Sequence, residues 1–195
     1  MMTIVPYVTA WSTERTLPAQ VAAHPNFGIG YADETLGDRD RHGILWPRTP
    51  SRPGHGRPEF GKVHPLRQRR AMRRLRCQVC AGPPDRDALG VLWLLRDHRA
   101  DWSDWPERMA ATEPPVCLRC ARLSVRACPA LRTGHVAVRV GDSAVQGVYG
   151  VRYRPGQPYP APAGDAIVTF DDPDIHWVRA AQLVRELRDC TLVEL

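Results

Sequence analysis

The chain has 195 residues, 43% hydrophobic and 25% charged, the profile of an ordinary globular protein with room for one core, or one core and a small satellite unit. No run of about 18 apolar residues occurs, which excludes a membrane-spanning helix, and the opening MMTIVPYVTAWSTERT lacks the basic and apolar regions of a secretory signal, so a cytoplasmic location is expected. The formal net charge is +6, and one segment accounts for it: residues 62–76 hold one Lys and six Arg with no acid.

In chain order, residues 3–11 (TIVPYVTAW) and 27–31 (FGIGY) read as short strands, rich in β-branched and aromatic residues. A polar stretch, ADETLGDRDRHG, leads to the short apolar run Ile44-Leu45-Trp46. Residues 48–59 carry three prolines and two glycines, the signature of a loop or linker, and place a boundary after an N-terminal segment of residues 1–61. The pattern LRQRRAMRRLR over 66–76 predicts a helix with Leu66, Met72 and Leu75 on one side and arginines on the rest. It opens a central unit, 62–134, in which GVLWLL (90–95) reads as a strand buried on both faces. ARLSVRACPALR, from 121, predicts a helix with Leu123, Ala127, Ala130 and Leu131 at helical spacing, ended or kinked by Pro129.

The remaining residues, 135–195, are expected to pack on that unit. HVAVRV (135–140) and GVYGVRYR (147–154) alternate and predict a β-hairpin; PGQPYPAPAG (155–164) is a loop and AIVTF (166–170) a strand. DDPDIHWVRAAQLVRELRD predicts a C-terminal helix, with Asp172 as N-cap, Pro173 in the first turn, and Trp177, Ala181, Val184 and Leu187 as its buried stripe.

The strongest motif is a pair of Cys-x-x-Cys knuckles, Cys77-Gln78-Val79-Cys80 and Cys117-Leu118-Arg119-Cys120. Two residues between ligands make a tight turn that aims both sulfurs at one point. Two such turns supply the four thiolates of a closed, structural Zn²⁺ site. Gly82 offers backbone freedom just after the first knuckle. An iron–sulfur cluster, a redox pair or four bare cysteines are the other uses of such a quartet. Cys128 and Cys190 are left over and read as small core residues.

A first knuckle ahead of an apolar strand, and a second leading into a helix, resemble the treble-clef zinc finger. The expected fold is therefore α+β: a treble-clef zinc-binding unit with short strands, the hairpin and the C-terminal helix. With Asp97-His98 between the knuckles, the layout further resembles degenerate HNH (His-Me finger) endonuclease domains over about 50 residues. The resemblance implies His98 as general base and Asp97 as a ligand for a divalent metal on the scissile phosphate. The chain departs from that family at Thr112 and Ala121, where the family carries Asn. As a whole it is similar to Arg- and Trp-rich zinc-knuckle proteins of actinobacterial type, which implies no activity.

Arg67, Arg69, Arg70, Arg73, Arg74 and Arg76 run directly into the first knuckle. Such a helix repels itself unless an anionic partner is present. The expected partner is nucleic acid, with an acidic protein or acids of the same chain as alternatives, and no membrane. Trp102 and Trp105 read as core over the zinc unit, or as platforms for stacked bases. The expected function is a zinc-stabilised binding protein that contacts nucleic acid through 67–76. The alternatives are a metal-dependent nuclease using His98 and a structural or protein-partner-binding zinc protein.

Overall fold

The computed structural model describes residues 4–26 and 28–195, so Met1–Thr3 and Phe27 of the expected leading segment and strands lie outside the described residues. The elements in order are β1 (Thr9–Trp11), β2 (Val21–His24), β3 (Gly28–Tyr31), β4 (Pro58–Val63) and α1 (Pro65–Arg73). The central part supplies β5 (Arg86–Asp87), β6 (Gly90–Arg96), β7 (Ala110–Ala111), α2 (Leu118–Ala127) and α3 (Pro129–Arg132). The last part is strands but for one 3-10 turn: β8 (His135–Asp142), β9 (Val145–Arg154), β10 (Ala161–Thr169), β11 (Val178–Glu186) and β12 (Arg188–Val193).

β1 pairs with β4, and β2 with β3, as small antiparallel ribbons. Two four-stranded antiparallel sheets carry the architecture, in the orders β10-β9-β11-β7 and β12-β8-β6-β5. The fold is thus mixed but rich in sheet, with few helices. β6 decides where the metal site sits. Its Val91, Trp93 and Leu95 point to one face, with Val136, Val138, Val140, Trp105 and Leu187. Its Leu92 and Leu94 point to the other, onto Cys77, Val116, Cys120 and Ala121. Period-two alternation with both faces covered is why this strand reads as one continuous apolar run.

Two expected elements are overturned. Residues 135–140 and 147–154 do not form a hairpin with each other. β8 lies between β6 and β12, whereas β9 lies between β10 and β11 in the other sheet. The chain crosses between sheets at Ser143-Ala144, where the Arg185 guanidinium donates to the Ser143 carbonyl. The glycines of β9 mark its central place. A Cβ on Gly147 would meet the Val168 carbonyl of β10 at 2.3 Å, and one on Gly150 the Arg179 carbonyl of β11 at 2.2 Å, so only glycine allows the two neighbours to close in.

The C-terminal helix is likewise absent. Asp172 and Pro173 lead into a single 3-10 turn, Ile175–Trp177, and the following residues are β11. The register against β9 shifts between Ala180 and Gln182. Such a bulge ends the alternation of Val178 and Ala180; past it Leu183, Val184 and Arg185 are all buried, with a second shift between Val184 and Arg185. The resulting spacing imitates a helical stripe in sequence, and pairing with both β9 and β7 settles it as strand.

α1 packs on β11 through Arg67, Gln68, Ala71 and Met72; of the expected Leu66, Met72 and Leu75, Met72 alone is fully buried. Gln68 pays its own way there. Its side-chain amide donates to the Thr112 carbonyl at 2.7 Å and the Leu183 carbonyl at 2.9 Å, and its oxygen accepts from the Leu183 N–H at 2.9 Å. Gln68→Ala would strand three backbone groups, two of them buried, and leave a cavity. It is expected to destabilise by roughly 2–4 kcal/mol in urea unfolding.

Candidate metal centre

Each knuckle is built by backbone hydrogen bonds that close on the sulfurs. The Cys77 N–H donates to the Gly82 carbonyl at 2.8 Å and the Ala81 N–H to the Cys77 carbonyl at 2.9 Å. Ala81, at φ 61°, takes the left-handed conformation that closes this turn, a role expected of Gly82. Gly82 itself is not in the left-handed region, and a Cβ there would make an ordinary contact with the Cys80 sulfur, at 3.4 Å. Cys117 is the N-cap of α2, and Cys120 lies in its first turn.

The two knuckles are joined to each other and to β6. The Gln78 N–H donates to the Pro115 carbonyl, the Val116 N–H to the Leu92 carbonyl, and the Leu92 N–H to the Asp85 carbonyl, each at 2.9 Å. The N-terminal segment is tied in as well, through the Tyr7 N–H to the Val79 carbonyl at 2.9 Å. The four sulfurs of Cys77, Cys80, Cys117 and Cys120 consequently lie within 4.8 Å of one another, close enough to hold one metal ion. Cys77 and Cys120 are buried, Cys117 is half-buried and Cys80 exposed. Burial pushes the Cys77 and Cys120 thiols above their ordinary value. Burial acts the same way on Cys80, but the Gly82 N–H and the neighbouring thiols outweigh it and bring that group down. Among the described residues this quartet is the one group of three or more cysteine, histidine or acidic side chains brought together in this way.

Asp97 and His98 stand apart from it. Asp97 accepts hydrogen bonds from the side chain and the N–H of Arg99. The Arg99 side chain, then its N–H, holds the carboxyl at about 2. His98 pairs with Asp101 at 3.2 Å and stacks edge-on to Trp105, 6.5 Å between ring centres. The expected metal ligand, Asp97, is thus paired with an arginine, and the expected general base, His98, faces a different acid. Trp105 is buried in the core and Trp102 is exposed.

The arginines of 67–76 are sorted by their surroundings. Arg67, only 3% exposed, pairs with Glu14 at 2.6 Å and is closed to any outside partner, a correction to its expected role. Arg69 lies over the Trp46 ring at 4.4 Å, Arg73 pairs with Asp40 at 3.0 Å, and Arg76 donates to the Ala81 carbonyl at 3.0 Å. Arg70 and Arg74 are exposed and make no ion pair among the described residues. A second basic group, Arg119, Arg122 and Arg126 of α2, is also exposed. A net-charge count over 77–135 hides it, because seven acids in that window offset eight arginines. The signal that finds it is the run 114–141, which has no acid at all.

Compared with known protein families, curated proteins and solved structures, the chain matches none. The reading of the site therefore rests on its own geometry. No helix among the described residues is long and apolar enough to cross a membrane.

Proposed function

We propose that the chain is a zinc-stabilised nucleic-acid-binding protein without catalytic activity, its metal unit a treble clef. The observation that carries the zinc assignment is the spacing of the quartet. Four thiolates at about 2.3 Å from one Zn²⁺ have sulfur–sulfur edges of about 3.8 Å, and the Cys80 and Cys117 sulfurs lie 4.0 Å apart. An iron–sulfur cluster, whose thiolates bind different irons, needs its sulfurs farther apart. Four thiolates leave no open position for substrate or water, so the ion is a staple. The treble-clef reading is supported by chain order: first knuckle, the short β5–β6 hairpin, then a second knuckle that starts α2.

Nucleic acid is the partner that fits an Arg-rich chain of net charge +6 whose exposed Arg70 and Arg74 have no acid to face. Two measurements test the reading. Elemental analysis of the purified chain is expected to find one zinc, and no iron, per chain. A gel-shift series is expected to show binding that weakens steeply with salt; no shift even at low salt would sink it. The nuclease alternative is addressed by plasmid nicking with Mg²⁺ or Mn²⁺. Wild type and His98→Ala are expected to be equally inactive, and nicking lost only in His98→Ala would restore that alternative.

A further inference from the structure

We infer that the outward face of α2, carrying Arg119, Arg122 and Arg126, is the main surface on which this protein holds a nucleic-acid phosphate backbone. The inference rests on the nucleic-acid reading above and moves its centre from α1 to the helix that grows out of the second knuckle. The acid-free run 114–141 contains five arginines. Arg139, pointing inward from β8, pairs with Asp85 and Asp87. Arg132 turns its guanidinium back to the Arg126 carbonyl at 2.8 Å, where it caps the end of α2. The other three have no ion-pair partner among the described residues, and all three are exposed.

Their spacing is what makes a surface of them. Positions 119, 122 and 126 follow the three- and four-residue steps of one helix face, while Leu118, Ala121 and Val125 pack inward on Cys77, Leu92 and Leu94. Like charges at these steps repel each other. Several arginines elsewhere have an acid partner: Glu34 for Arg39, Asp38 for Arg48, Glu14 for Arg67, Asp174 for Arg152. Arg70 and Arg74 beside the first knuckle have none, but only α2 sets three such arginines on one helix face, where an anion from outside would relieve their repulsion. From Arg119 to Arg126 the helix advances by about 10 Å, a length over which a nucleic-acid duplex presents roughly six phosphates. The platform is also rigid, because α2 begins inside the metal centre and needs no rearrangement to present its charges. Arginine heads on a helix face with no aromatic side chain among them suit phosphate contact, so recognition is expected to be independent of sequence.

The test is fluorescence anisotropy of the zinc-loaded full chain with a labelled 20-base-pair DNA duplex and the RNA duplex of the same sequence, over a salt series. Wild type is compared with Arg119→Gln/Arg122→Gln/Arg126→Gln and with Arg70→Gln/Arg74→Gln. All are checked for zinc content and thermal unfolding, since these exposed changes should leave both intact. For wild type, log K is expected to fall linearly with log salt, by about 0.9 per phosphate neutralised. The α2 variant should lose about 3 from that slope and at least ~10-fold in affinity at low salt. The α1 variant should lose less than the α2 variant on both measures. Preference for one of the two duplexes assigns the nucleic acid without changing the surface. If wild type binds and the α2 variant keeps its affinity and slope, the α2 face is not the surface, while the nucleic-acid reading stands. If wild type binds neither duplex at low salt, or binds polyglutamate as well as either duplex, the nucleic-acid reading falls and takes this inference with it.

Discussion

Stripping the metal with a strong chelator is expected to unfold the region around β6, with loss of the cooperative thermal transition of the whole chain. The quartet is the point where four separate stretches meet: the N-terminal segment at Tyr7, the first knuckle, β6 through Leu92, and α2. Without the ion, four thiols face one another within 4.8 Å, two of them buried, with only part of one apolar face to hold them. Structural zinc contributes on the order of 10 kcal/mol of apparent folding energy, which matches or exceeds the net stability of a typical domain. Cys77→Ser and Cys120→Ser, at the buried ligands, are expected to reproduce the chelator result, with zinc per chain falling towards zero. Cys128→Ser and Cys190→Ser are the controls. Both residues are half-buried outside the quartet, and the Cys190 sulfur makes a long contact, 3.9 Å, to the Pro106 carbonyl beside Glu107. These two variants should keep their zinc and lose about 1 kcal/mol or less in urea unfolding. If the chelated protein melts as the zinc-loaded one does, the staple role is wrong.

The second large effect is expected at Glu14, outside the cysteine quartet. Its buried carboxylate accepts from the Trp11 N–H at 2.8 Å, the Arg52 N–H at 2.6 Å and both terminal nitrogens of Arg67 at 2.6 Å. Arg67 in turn donates to the Thr9 carbonyl at 2.7 Å, and His64 contacts the Pro50 carbonyl at 3.1 Å. One ion pair therefore ties β1, the proline-rich loop and α1 together. Glu14→Ala leaves a buried guanidinium without its anion, and is expected to cost about 3–5 kcal/mol. Glu14→Ala/Arg67→Met, which removes both charges, should cost less than the sum of the single changes. Burial alone would raise the Glu14 carboxyl, but Arg67 and the Arg52 and Trp11 N–H groups outweigh it and bring it down to about 2. A depressed carboxyl stabilises fully above its ordinary value of 4.5, and that stability drains away as pH falls from there through about 2. Asp38, held at about 2 chiefly by Arg48, acts in the same direction. Urea midpoints between pH 6 and pH 2 should fall more steeply for wild type than for Glu14→Ala. Parallel curves would refute the linkage.

The contrast between β6 and β11 shows what was legible. GVLWLL reads as a two-faced buried strand because a continuous apolar run of six residues has strand length, and the structure keeps it as such over Gly90–Arg96. VRAAQLVRE carries a helical stripe and follows Asp172 and Pro173 a few residues upstream, all local signals of a helix. It is nevertheless a central strand, because a bulge resets its alternation and β9 and β7 claim its backbone. The hairpin expected over 135–154 failed for a related reason. A short connection between two alternating runs implies a hairpin only when both strands belong to one sheet, and sheet membership depends on partners such as β6 and β11 that lie far off in sequence.

The arginines divide along the same line. That 62–76 concentrates the charge could be read directly from the sequence, but Glu14 and Asp40, which take up Arg67 and Arg73, lie in segments that meet α1 only after folding. The quartet is the opposite case. Two Cys-x-x-Cys turns are local devices: each sets two sulfurs side by side by backbone geometry alone, so Cys77, Cys80, Cys117 and Cys120 were evident from their spacing. By itself the sequence determined which sulfurs pair within each knuckle, because that is a matter of short-range turns; the fold then brings the two knuckles together through Pro115, Val116 and Leu92. Only the tertiary structure decided which charges remain on the surface and which strands share a sheet, because burial, ion pairing and sheet order are set by neighbours that the chain brings together from a distance.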